Sequence, residues 1–297
     1  LAKSGWTDSC LLERKDLASG STWHAAGLLP LFNMSYSVGQ IHKYSIQLYK
    51  QLQNETGQDV GFRNVTNIRL ATTKDRIDEY RHYAGVAKTI GVDVNFLTPE
   101  EIIDIWPLAR IEGLIGAIQH SHDGYIQPSE LTQALARGAR IYGGTIHRNT
   151  SVLEINKKPN GEWQVITNRG EMICEHLISA TGNFAQKTAK LLGINIPVIP
   201  VEHQFIVTEP HPAIIERHDK GSPELAVLRE SDGSWYMREE NGGLLLGPYE
   251  KDAPACYVNG PDDESEYELF QEDLDRLEPH IESAIKRVPA FGEVGIK

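Results

Sequence analysis

Between residues 37 and 56, apolar positions fall at Ile41, Tyr44, Leu48 and Leu52, a helical spacing that Gly57 closes. Before this, "LAKSGWTD" reads as a helix tail turning at Gly5, and "SCLLER" (9–14) as a short strand ending in acidic Glu13. "NIRLATT" (67–73) is strand-like, and 74–90 and 99–105 predict helices, the second stopped at Pro107. Residues 127–144 predict a helix with Leu131, Leu135 and Ile141 on its apolar face, opened by Pro-Ser and stopped by Gly143 and Gly144. Strands at 150–155 and 162–167 flank Asn160-Gly161, a strong hairpin signal. "EHLISATG" (175–182) predicts a buried strand that runs into a glycine, with a helix behind it. From 198 onward the pattern turns strand-rich, through "VIPVEHQFIVTE", "GSWYMREE" and "GGLLLGPYE", and an acidic helix is expected over about 264–286. Helix–strand alternation followed by antiparallel-looking strands predicts an α/β nucleotide-binding part interleaved with a mainly antiparallel β part.

Composition narrows the classes. The 297 residues are 40% hydrophobic and 24% charged, an ordinary globular balance, and their net charge of -12 opposes binding to nucleic-acid phosphates. No apolar run is long enough to span a bilayer, and the first ten residues show no signal-peptide pattern. Cys10, Cys174 and Cys256 form no CxxC and no even framework, which fits a reducing compartment, and each is expected to be a small buried apolar residue. No metal-ligand set is expected.

Four places carry candidate chemistry. Glu13, at a strand end, suits either a ribose hydroxyl or plain solvation. Ala180, Thr181 and Gly182 would let a dinucleotide approach a strand edge, or would simply make a tight strand-to-helix turn. His24 lies in "LASGSTWHAAGL", where small neighbours let a flat ring lie close to the backbone, although a loop histidine satisfied by its surroundings has the same signature. His203 falls in phase with Ile199, Val201, Phe205 and Val207, so burial on an apolar face should keep its imidazole neutral. Tyr236 is in phase with Ser234 and Arg238 on a more polar face. His203 and Tyr236 would matter together only if their strands line one pocket.

The segment "LLERKDLASGSTWHAAGL" resembles the covalent-flavin segment of the dimethylglycine dehydrogenase and sarcosine dehydrogenase family, within the D-amino-acid-oxidase-like flavoenzymes. "IRLATT", "DGYIQPSELTQALARGAR", "ISATGNFA", "PVEHQFIVTE" and "GLLLGPYE" continue the resemblance along nearly the whole chain. It implies a Rossmann-like FAD-binding domain over 1–60 and 120–196 and a substrate domain over 61–119 and 197–297. It implies oxidative demethylation of a small N-methylated amino acid by hydride transfer to FAD bound covalently through His24. Ser21, Thr22, Trp23, Ala25, Ala26 and Gly27 would surround the flavin. Glu13, Arg14 and Val152 would meet its adenosine, with Ala180, Thr181 and Gly182 at the dinucleotide. His203 and Tyr236 would be the active-site pair. An electron-transfer flavoprotein partner and a bacterial cytoplasmic or mitochondrial matrix setting also follow from the resemblance. The family's glycine-rich phosphate loop and its tetrahydrofolate-binding C-terminal region are not among these residues, so the chain reads as an internal piece of a longer enzyme. A noncovalent FAD amino-acid oxidase and a non-catalytic remnant stay open as alternatives.

Overall fold

The computed structural model describes residues 1–297. Its strands and helices in chain order are β1 (Cys10–Leu12), β2 (Leu28–Leu29), α1 (Tyr36–Thr56), β3 (Asn67–Ala71), α2 (Lys74–Thr89), β4 (Asn95–Leu97) and α3 (Pro99–Ile105). Then come β5 (Gly116–His120), β6 (Gly124–Tyr125), α4 (Pro128–Ile141), β7 (Thr145–His147), β8 (Val152–Lys157), β9 (Trp163–Thr167) and β10 (Gly170–Cys174). The chain closes with α5 (Ala185–Lys190), β11 (Ile206–Val207), α6 (Pro212–Asp219), β12 (Val227–Glu230), β13 (Trp235–Glu240), β14 (Gly243–Pro248) and α7 (Leu274–Arg287).

Local chemistry sets most boundaries. Ser35 caps α1 through the Val38 N–H, and Gly57 ends it at φ 69°. Thr73 caps α2. Thr98 and Glu101 form a reciprocal capping box around Pro99 at the start of α3. No helix is long and apolar enough to cross a membrane.

A seven-stranded sheet in the order β11-β14-β13-β12-β3-β5-β4 dominates the molecule. All its pairings are antiparallel except β12 with β3. Side-chain alternation gives it two unlike faces. One face presents Ile68, Leu70, Leu228, Trp235, Met237, Leu244 and Leu246 to the main core, where Trp106 and residues of α3, α6 and α7 meet them. The other face is apolar at the β3–β5 side, where Ile118 and Ala71 meet Tyr80 and Tyr83 of α2. Farther along it carries Arg69, Arg229, Tyr236 and Arg238, aligned by the registers Arg69↔Arg229 and Arg229↔Tyr236. β1 pairs in parallel with β7, β8–β9–β10 form a meander, and β2 pairs with β6.

Several expectations are corrected. Residues 175–181 form no strand and are exposed, including Leu177 and Ile178, because no strand of the chain lies alongside to pair with them. The strand expected over 198–209 is reduced to Ile206–Val207, with Ile199, Val201 and Phe205 exposed. The acidic helix starts at Leu274, after an irregular acidic stretch. In α1, Ile41 and Tyr44 are exposed while Ile46 and Leu52 are buried. In α4 the buried positions are the small Ala134, Ala136 and Gly138, not Leu135 and Ile141. None of the three cysteines is buried: Cys10 is exposed, and Cys174 and Cys256 are half-buried.

Candidate functional site

The polar sheet face holds two guanidinium groups without a carboxylate partner. Arg229 is buried, and its one side-chain hydrogen bond is donated by Nη1 to the Tyr249 hydroxyl at 3.1 Å. Arg69 lies over the Phe32 ring at 4.2 Å, and the Nε of both arginines is buried without a partner. Burial and the neighbouring Arg229 charge push the Arg69 guanidinium down to about 10. An unpaired buried cation is costly unless something supplies the missing charge. A cavity of about 240 Å³ opens on both groups, lined also by Phe32, Tyr80 and Tyr249.

Tyr236 does not line this cavity but stands beside two residues that do. Its ring is 5.5 Å from that of Tyr249 and 5.5 Å from the Arg229 guanidinium. Burial pushes its phenol up to about 12, so at neutral pH it is a hydrogen-bond donor. It lies across Gly247, its cross-strand partner: a Cβ there would stand 2.0 Å from the tyrosine Cζ. Gly247→Ala is therefore expected to displace the ring and to slow turnover of the full-length protein by about tenfold, the scale of one lost hydrogen bond of about 1.4 kcal/mol. Rate constants for Gly247→Ala and Tyr236→Phe, measured side by side, check this, and an unimpaired Gly247→Ala would detach Tyr236 from the site.

His203 departs from expectation. Its side chain is 46% exposed rather than buried on an apolar face. Its Nδ1 lies 3.5 Å from Glu250 Oε2, an oxygen buried without a hydrogen-bond partner. The other Glu250 oxygen accepts from Arg276 Nε at 2.5 Å. Glu250 escaped the sequence reading, although it sits in the "GPYE" stretch. His203 and Tyr236 make no direct contact, but they flank consecutive residues, Glu250 and Tyr249.

The 13–27 segment is a set of turns leading into β2. His24 is half-buried, and desolvation holds its imidazole below the ordinary range, which keeps a ring nitrogen free as a nucleophile. Trp23 stands edge-on to it, with ring centroids 5.1 Å apart, and the buried Trp23 Nε1 has no partner. Ser21, Thr22 and Ala25 are exposed, and Ala26 is half-buried. Gly27 answers to the fold: at φ 70°, a Cβ would sit 2.0 Å from the Ile126 carbonyl oxygen. Glu13 directly follows β1, and its Oε1 accepts from the Lys15 N–H at 2.9 Å. Arg14 stacks on Phe184 at 3.9 Å and donates to the Ser265 carbonyl. Val152 begins β8, whereas Ala180, Thr181 and Gly182 are exposed ahead of α5. The segment from His24 leads directly to the arginines. Phe32 lies under Arg69, and the Leu31 N–H is held by both oxygens of buried Asp123, each at 3.1 Å. The orphaned indole donor and an imidazole with one unprotonated nitrogen suit a flavin ring at this loop.

The profile of the family described as FAD dependent oxidoreductase matches residues 1–296. The chain is 38% identical over 303 residues to dimethylglycine dehydrogenase, mitochondrial, of Rattus norvegicus, covering all of this chain and 35% of that protein. It is 33% identical over 252 residues to 4-methylaminobutanoate oxidase (formaldehyde-forming) of Paenarthrobacter nicotinovorans, covering 85% of this chain and 30% of that protein. The chain thus spans about a third of the length of these curated relatives. Among solved structures, L-proline dehydrogenase from P. horikoshii superposes with a TM-score of 0.81 at 23% identity, covering all of this chain and 74% of that one. That likeness is one of fold.

Proposed function

The chain belongs to the FAD dependent oxidoreductase family, and from that premise we propose that it is part of an enzyme oxidising the N-methyl group of a small amino acid, with FAD held covalently by His24. The observation that carries the reading is the pair of arginines, Arg69 and Arg229, lacking any carboxylate of their own on a cavity of about 240 Å³. A substrate carboxylate supplies the missing charge. The names of two relatives, a dimethylglycine dehydrogenase and a 4-methylaminobutanoate oxidase, both describe N-methylated amino acids.

In this reading the bound FAD supplies the two-electron acceptor. Trp23 Nε1 and the turns around Ser21, Thr22, Ala25 and Ala26 hold its ring system, with Glu13, Arg14, Val152 and the 180–182 turn toward the adenosine. Arg69 and Arg229 orient the substrate by its carboxylate. The amine must lose its proton before its N-methyl carbon can be oxidised, and His203 takes that proton while Glu250 stabilises the imidazolium that results. The Tyr236 hydroxyl donates a hydrogen bond that fixes the substrate between seat and base. Residues 61–119 and 197–297 thereby act as the substrate part, and 1–60 and 120–196 as the FAD-binding part.

Anaerobic reduction of the full-length protein's flavin tests the proposal. N,N-dimethylglycine should bleach it, and N,N-dimethylethylamine, which has the same amine but no carboxylate, should not. Equal bleaching by both would remove the carboxylate seat from the reading.

A further inference from the structure

On the reading that His24 holds the flavin, we infer that Tyr267 is a positioning residue for that attachment: its ring braces Trp23 against the His24 imidazole, and the acidic segment 262–268 straps it there. It depends on that reading and adds to it a residue from a distant part of the chain.

Between β14 and α7 the chain forms no helix and no extended strand. Within this stretch, 262–268 is exposed apart from half-buried Ser265, so no core of its own holds it. It is held instead by the turns over 13–24 and by α5. The Tyr267 N–H donates to the carbonyl of buried Ser19 at 2.8 Å. Arg14 donates to the Ser265 carbonyl at 3.3 Å, Lys15 pairs with Glu264 at 2.5 Å, and Lys187 of α5 pairs with Asp263 at 2.7 Å. The strap also ties to itself, because Glu268 accepts from the Tyr257 hydroxyl at 2.6 Å and from the Ser265 hydroxyl.

These contacts deliver the Tyr267 ring to Trp23, with centroids 5.8 Å apart and planes at 68°. Trp23 in turn meets His24 at 5.1 Å and 80°. Both are edge-on contacts of the favourable kind. Tyr267 touches the indole without taking its N–H, since Trp23 Nε1 has no partner. Its backbone sits at φ 49°, in the left-handed region that a tyrosine occupies only where its surroundings impose it. Exposed ion pairs contribute little by themselves. The ring contact and the Ser19 hydrogen bond therefore do most of the holding, and the charges set the register of the strap. Tyr267 takes no part in making the bond to the flavin. It narrows the orientations of indole and imidazole, and an edge-on aromatic pair shifts such an equilibrium by about two- to tenfold.

Full-length protein prepared free of flavin is mixed with saturating FAD, and acid-stable flavin is followed against time. Saturation keeps differences in FAD affinity out of the rate. Tyr267→Ala should slow attachment about fivefold, the loss of one such ring contact, while Tyr267→Phe, which keeps the ring, should match the wild type. Trp23→Leu should be at least as slow as Tyr267→Ala, and the double variant no slower than Trp23→Leu alone. A wild-type rate in Tyr267→Ala, slowing in Tyr267→Phe, or further slowing in the double variant would overturn the inference. If Tyr267→Ala does not fold, Glu264→Lys lifts the strap by setting two cations against each other at Lys15. At low ionic strength it should slow attachment about threefold, and adding Lys15→Glu should reverse this; an unchanged rate would overturn the brace. His24→Ala separates the two levels. Acid-stable flavin in that variant removes the attachment site and the brace with it. Loss of attachment there, with an unslowed Tyr267→Ala, removes the brace alone.

Discussion

Arg229→Met in the full-length protein is expected to raise KM for an N-methylated amino acid more than a hundredfold. Losing one partner of a buried, hydrogen-bonded charge pair costs about 3 kcal/mol, and each 1.4 kcal/mol is a decade in affinity. The same change should stabilise the unliganded protein. In the free state, Arg229 is buried with an unpartnered Nε and only the Tyr249 hydroxyl to bond, so an apolar side chain of similar length relieves a desolvation cost. A higher Tm with a higher KM is the signature of a residue kept for its ligand. Steady-state kinetics and a thermal melt on the same preparation check it. A lower Tm with unchanged KM would make Arg229 an ordinary structural arginine.

His24→Ala is expected to abolish acid-stable flavin attachment entirely, because a single bond would carry it. Noncovalent binding should persist in the full-length protein, since the remaining contacts to the dinucleotide lie elsewhere. The half-buried imidazole, held below its ordinary range by desolvation and braced edge-on by Trp23, is a competent neutral nucleophile. Flavin fluorescence on a denaturing gel reads the outcome directly. A fluorescent band from the variant would transfer attachment to another residue and return His24 to the loop.

What was legible in the sequence and what was not follows the range of the forces involved. The ends of α1 and α3 were readable because Ser35, Gly57, Thr98 and Glu101 act within a turn or so of where they stand. The loop over 13–27 was readable as a family motif, and within it Gly27 serves a close contact with the Ile126 carbonyl. The strand expected at 175–182 failed because a strand needs a neighbour, and periodicity cannot say whether one lies alongside. His203 failed for the same reason: alternation over 199–207 implied a buried face, but besides a lone bridge from Val201 to Ala255 the pairing is confined to Ile206 and Val207. The pairing of Arg69 with Arg229 was illegible because the two stand far apart in sequence and meet only through the parallel register of β3 with β12.

That register also has a consequence for the order in which the protein is made. β3, β5 and β4 lie close together in the chain and can pair early, but the strand that completes β3 on its other side begins only at Val227. At roughly 5–20 residues per second, β12 leaves the ribosome on the order of ten seconds after β3. Through that interval one edge of β3 has unpaired amides, and Ile68 and Leu70 wait for most of their core. Arg69 gains Arg229 as its neighbour only when this last parallel seam closes. The Arg69–Arg229 pair is thus assembled only once β12 has been made, so a shorter nascent chain has the first arginine without the second.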